Sequence, residues 1–229
     1  MTELRRRRIC IVILLLAVTG CAQKAPSALR WPWSKTPDET AATGPTAKER
    51  IKELRAVAKR APELPVEEQE KTALQLAEQL AAEQDSIIRC EILRTMAHLK
   101  TPTAAAMLRA GLEDKDLEVK TTVCEAWGVR GDDEAIQILG DTLTQDSNLD
   151  VRLAAARALA KIKKPAAMQP LGLALDDPDP ALQRRAVESL REVSGRDFGN
   201  DVVAWRTFVQ GGEPPHKPFS VADLFRKLF

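Results

Sequence analysis

Along most of the chain apolar residues return three and four positions apart, and the arrangement recurs at steps of 31 or 32 residues. Asp85, Asp116, Asn148 and Asp179 open four such segments, in which Ile92, Val123, Ala155 and Ala186 form a column. Leu93, Cys124, Ala156 and Val187 follow one residue later, and Met96, Trp127, Leu159 and Leu190 come four residues after the first column. Positions i, i+1 and i+4 share one helical face, so each run predicts a helix with a buried side. A second helix per unit supplies Leu76, Leu108, Leu139 and Leu171, then Leu80, Leu112, Leu143 and Leu175 four residues on. Two independent sets of columns that keep one period mark an internal repeat.

Thr101 and Pro102, Gly131 to Asp133, and Lys164 and Pro165 separate the helices as stop and start signals. Residues 47–84 read as a first, atypical pair. Thr46 and Glu49 have the spacing of a capping box, Ile51, Leu54, Val57 and Ala58 make an apolar stripe, and Pro65 suits the first turn of a second helix. A last pair ends near Gln210, and its bulky Phe198, Trp205 and Phe208 are expected to seal the open end of the stack. Each hairpin is too thin to bury its own apolar face, so neighbours must stack. The expected fold is all-α: a right-handed α-solenoid of about five helical hairpins over residues 47–210.

The N-terminal region follows other rules. Arg5 to Arg8 form a basic cluster, and Ile9 to Val18 carry no charge, the order of a secretory signal. The uncharged run is shorter than the roughly 20 residues a spanning helix needs. It ends in Val18, Thr19, Gly20 and Cys21, which resembles the lipobox of bacterial lipoproteins. That resemblance implies a signal peptide over residues 1–20 and a lipid-bearing Cys21. Its several acyl chains would meet the need for more than one hydrophobic anchor. Residues 21–46 carry Pro26, Pro32, Pro37 and Pro45 among small and polar residues without apolar period, and read as a disordered tether. Fully extended, it reaches up to roughly 80 Å. Trp31 and Trp33 have two readings, at the lipid headgroups or packed back on the folded body.

Composition narrows the function. The chain has 34 Lys+Arg against 33 Asp+Glu, and loss of residues 1–20 leaves 30 against 32. With that balance, and five Phe, four Trp and no Tyr, nucleic acid is not an expected partner. The two histidines, His98 and His216, are far apart, which excludes a His-rich catalytic site.

The segment from Asp150 through Val151, Arg152 and Leu159 to Ile162 resembles a HEAT repeat of the short bacterial kind related to phycobilisome-lyase repeats. The resemblance covers residues 85–195 well and 47–84 loosely. It implies that the basic column Arg89, Lys120 and Arg152, from which Gln183 departs, bridges adjacent repeats to acidic side chains. It also implies that the second helices form the concave, partner-binding face, which places Gln75, Glu78, Arg109, Gln137 and Asp141 on or near it. Two enzymes with this architecture serve as alternatives. Deoxyhypusine hydroxylase holds iron through His-Glu pairs, but here His98 precedes Leu99 and His216 precedes Lys217. The bilin lyases share the repeat, yet no residue pattern marks a pigment pocket. No catalytic, metal or cofactor-binding set is expected.

Cys90 and Cys124 sit three residues out of phase in neighbouring repeats, so they are expected as free, mainly buried thiols. Residues 211–229 begin as a breaker-rich link. Val221, Leu224, Phe225, Leu228 and Phe229 then fall on one helical face, opposite Arg226 and Lys227. Ten residues do not hold a helix alone. The segment docks on its own solenoid, a partner groove or the membrane surface. Together these readings describe a protein-binding scaffold, with no enzymatic activity of its own, lipid-anchored in the bacterial cell envelope and facing the periplasm or exterior.

Overall fold

Stop and start chemistry places almost every helix boundary. The structure, a computed structural model, describes residues 44–214. Its helices are α1 (Ala47–Arg60), α2 (Val66–Ala82), α3 (Ser86–Met96), α4 (Pro102–Gly111), α5 (Leu117–Arg130), α6 (Asp133–Gln145), α7 (Leu149–Ile162), α8 (Met168–Leu173), α9 (Pro180–Ser194) and α10 (Val202–Val209). Thr46 and Glu49 form the expected capping box on α1. Asp85, Thr101, Asp116, Asp132, Asn148, Asp179 and Asp201 each accept an N–H of the following first turn, satisfying donors that a helix start leaves unpaired. Gly131 and Gly195 end α5 and α9 in the left-handed region, at φ 62° and 67°, where a side chain is disfavoured.

The helices form five hairpins in two rows. The first helices α1, α3, α5, α7 and α9 pack in sequence order, each on the next, and the second helices lie beside them. All three repeat columns of the first helices, from Ile92 to Leu190, are buried between the rows. Leu76, Leu108, Leu139 and Leu171 close the core from the second row at 0% exposure. Alanine and glycine let the helices come close. A Cβ on Gly128 of α5 would lie 3.1–3.2 Å from the Cβ, Cα and carbonyl oxygen of Ala158 of α7, tighter than ordinary van der Waals contact.

Two boundaries differ from the expectation. Pro65 stands at the cap of α2 rather than inside its first turn, after a 3-10 turn over Ala61–Glu63. The second helix of the fourth unit is broken into a 3-10 turn, Pro165–Ala167, the short α8, and a 3-10 turn, Ala174–Asp176. Pro170 lacks the amide that would continue the ladder, and its ring crowds the preceding turn. Leu171 and Leu175 still reach the core.

The basic column ties successive turns together. Arg89 donates twice to Asp114 and once to the Gln84 carbonyl, each at 2.9 Å. Lys120 donates to Asp146 at 2.6 Å, and Arg152 lies 3.6 Å from Asp177 while donating to the Asp146 carbonyl. In the first unit Arg50 pairs with Glu83. Each acid also accepts the backbone N–H two residues on, at Asp85, Asp116, Asn148 and Asp179, so one carboxylate organises the next helix start. Gln183 takes the same position in α9 and donates to the Asp177 carbonyl at 2.8 Å. Among the described residues α10 is the last helix and no further acid follows in register, so a neutral donor suffices there.

The end seal is built as expected. Phe198 lies 4.8 Å from Trp205 and 5.3 Å from Phe208 between ring centroids, the first pair edge to face. Trp205 is fully buried and donates its indole N–H to the Gly199 carbonyl at 2.9 Å.

The ladder has a pH signature. Burial alone would raise the Asp114 carboxyl, but the Arg89 hydrogen bonds and the Asp116 N–H outweigh it and hold the carboxyl below the usual aspartate range. A group depressed in the folded state contributes stability that is complete above its unfolded pKa and is lost as pH falls through the folded value. Asp114→Asn leaves the buried Arg89 guanidinium without its counter-charge, so it should lower unfolding free energy near neutral pH by about 1–3 kcal/mol. The gap from the parent protein, read by urea denaturation, should shrink as pH falls below about 4. A gap constant from pH 7 to pH 2 would exclude the ion pair as its source.

Candidate interaction surface

Helix spacing in the second row is set by one repeat column. Ala77, Arg109, Gly140 and Gly172 occupy it, at steps of 32, 31 and 32. Where the column is small, neighbours touch: α2 packs on α4, α6 on α8 and α8 on α10. A Cβ on Gly140 would stand 3.0 Å from Pro170, and one on Gly172 would stand 2.6 Å from Val209. Arg109 is the exception. Its side chain extends across to an ion pair with Glu134 of α6. Between α4 and α6 a cleft of about 540 Å³ remains, with Arg109 and Leu112 on one wall and Ile138 and Asp141 on the other.

A second groove, of about 370 Å³, runs between α6 and α8 above the Gly140 contact. Ile136, Pro170 and Leu173 give it an apolar lining, while Gln137, Asp141 and Asp133 stand along the α6 side. Leu173 is 60% exposed, high for a leucine amid other apolar groups. Asp133 accepts from Lys164 at 2.8 Å, and that hydrogen bond together with the ammonium charge lowers its carboxyl pKa.

Of the residues expected on the binding face, Gln137 and Asp141 are exposed on α6 and line the α6–α8 groove. Arg109 and Asp141 line the α4–α6 cleft, with the charge of Arg109 matched by Glu134. Gln75 and Glu78 lie on α2, the first half-buried and the second exposed, and line neither groove. Ile136, Pro170 and Leu173 were not singled out from the sequence. Leu173 falls in the same column as Glu78, Ala110 and Asp141, and comparing the repeats there would have shown it as the one large apolar residue at a position otherwise small or charged. The lipobox residues Val18, Thr19, Gly20 and Cys21, and the segment containing Val221, Leu224, Phe225, Leu228 and Phe229, lie outside the described residues.

The family-level comparison agrees with this geometry. A family described as HEAT repeats matches residues 73–149 and 139–204. The chain belongs to the HEAT-repeat family. No curated protein matches it. HEAT repeats commonly act as protein-interaction scaffolds, and the paired rows with a grooved second row are the form such a scaffold takes.

The thiols among the described residues of this HEAT solenoid are buried. Among the described residues no cluster of three or more His, Cys, Asp or Glu is arranged to hold a metal ion. No described helix is long and apolar enough to cross a membrane. Cys90 and Cys124 are free and buried, with burial raising the Cys90 thiol and pushing Cys124 up to about 12. Thiolate is the reactive form, so both should resist alkylation at pH 8 in the folded protein and react once denaturant opens the core. Peptide mass spectrometry reads the outcome, and rapid native labelling of Cys124 would contradict its place between α5 and α7.

Proposed function

We propose that this HEAT-repeat chain is a lipoprotein of the bacterial cell envelope. In this reading it is anchored through lipid on Cys21, faces the periplasm or exterior, and binds a protein partner along its second helices. The observation that carries the binding role is the α6–α8 groove, where exposed Leu173 sits beside Ile136 and Pro170 with Gln137 and Asp141 at the rim. An apolar floor with a polar border is the composition of a protein-recognition surface. The solenoid offers an extended surface for many shallow contacts, and the role proposed for it is that of a scaffold. The anchor rests on the order of basic cluster, uncharged run and lipobox ending at Cys21. The tether that follows lets the solenoid work at a distance from the lipid.

Two measurements test this. Mass spectrometry of the mature protein should find residues 1–20 removed and Cys21 acylated, and an unmodified N-terminus elsewhere would refute the anchor. A photocrosslinking residue in place of Gln137 should capture a defined protein in the native envelope. Leu173→Asp should lower that yield at least about tenfold with the fold intact by circular dichroism, as expected for a central interface anchor. An unchanged yield would move the binding site away from this groove.

A further inference from the structure

We infer that residues 220–229 seat in the α6–α8 groove of the same molecule and mask it until a partner displaces them. This rests on the reading of that groove as the partner surface. The groove leaves Leu173 exposed beside Ile136 and Pro170, which calls for an apolar cover. The sequence supplies one within the chain, since Val221, Leu224, Phe225 and Leu228 share a helical face.

Length and reach agree. A ten-residue helix spans about 15 Å, and the groove follows α6 from Asp133 to Thr144, about 16 Å at the same rise. The chain turns back at the end of α10, where Gly211 has φ 80° and the Gly212 N–H bonds the Thr207 carbonyl at 2.9 Å. α10 itself packs on α8, one wall of the groove. With neighbouring helices about 8–10 Å apart, the groove is about 15 Å from α10. Residues 213–219 extend to about 23 Å, enough to cross α8. The reversal would lay the segment antiparallel to α6 and α8, as a further helix against the row. Arg226 and Lys227, on the opposite face of that segment, would stay in solvent, where their charge needs no partner. Tethering gives the segment a millimolar effective concentration, so a helix too short to persist alone still occupies the site.

Hydrogen exchange on the full chain tests the seat, with Phe225→Asp/Leu228→Asp as the variant. Exchange at residues 140–144 and 168–173 should be at least about tenfold faster in the variant, while the α5 and α7 amides stay unchanged. Adding a synthetic peptide of residues 217–229 should restore protection to the variant. Equal exchange in both forms would overturn the inference. So would protection that appears only when anionic lipid vesicles are added, which would assign the segment to a membrane surface. The crosslinker at Gln137 separates the two readings. More partner adduct in the variant supports masking, and adduct equal in both forms would overturn it. No adduct in either form, with exchange still altered, would overturn the partner role of the groove and leave the seat standing.

Discussion

Close approach between neighbouring helices is the constraint on which this solenoid depends. A hairpin of two short helices buries too little surface to fold alone, so each unit borrows a hydrophobic face from the next. Borrowing requires contact, and contact at helix spacing requires small side chains at the crossing points. Gly128 against Ala158 shows how tight that contact is in the first row. In the second row Gly140 and Gly172 do the same against Pro170 and Val209. The acid–base ladder from Arg50 to Gln183 works alongside, fixing the turn from which each new pair departs.

Surface features lie where one unit departs from the others. Arg109 stands where its counterparts are alanine or glycine, and a cleft opens between α4 and α6. In the fourth unit the second helix departs from a continuous helix, and an apolar groove lies between α6 and α8 beside the close contact of Pro170 with Gly140. Neither departure damages the core, because Leu139, Leu171 and Leu175 remain fully buried. A repeat array can thus vary its outer row for binding while its inner row stays fixed, which is why such arrays suit scaffolding.

The fold was legible in the sequence because stacking imposes the same demand on every unit. Ile92, Val123, Ala155 and Ala186 appear as a column in the sequence because all four fill one kind of site. The basic column was visible in the same way, including the departure at Gln183, while its bridging role came from the resemblance to HEAT repeats. The break in α8 was harder to foresee, since Leu171 and Leu175 keep helical spacing across Pro170 and periodicity does not register a missing amide. The groove was partly legible: Gln137 and Asp141 are polar positions between leucine columns, whereas Leu173 looks like one more core leucine. Its exposure comes from a departure at one unit, and periodic patterns report what units share. Arg109 was read as a binding residue, and its pairing with Glu134 depended on a cross-repeat distance that spacing along the chain does not supply.

If side-chain size in that one column sets the helix spacing, Arg109→Gly should change it. A crystal structure of this variant should show α4 moved against α6 to the separation that α6 keeps from α8, with the cleft of about 540 Å³ closed. Retention of the present α4–α6 spacing in the glycine variant would contradict the account.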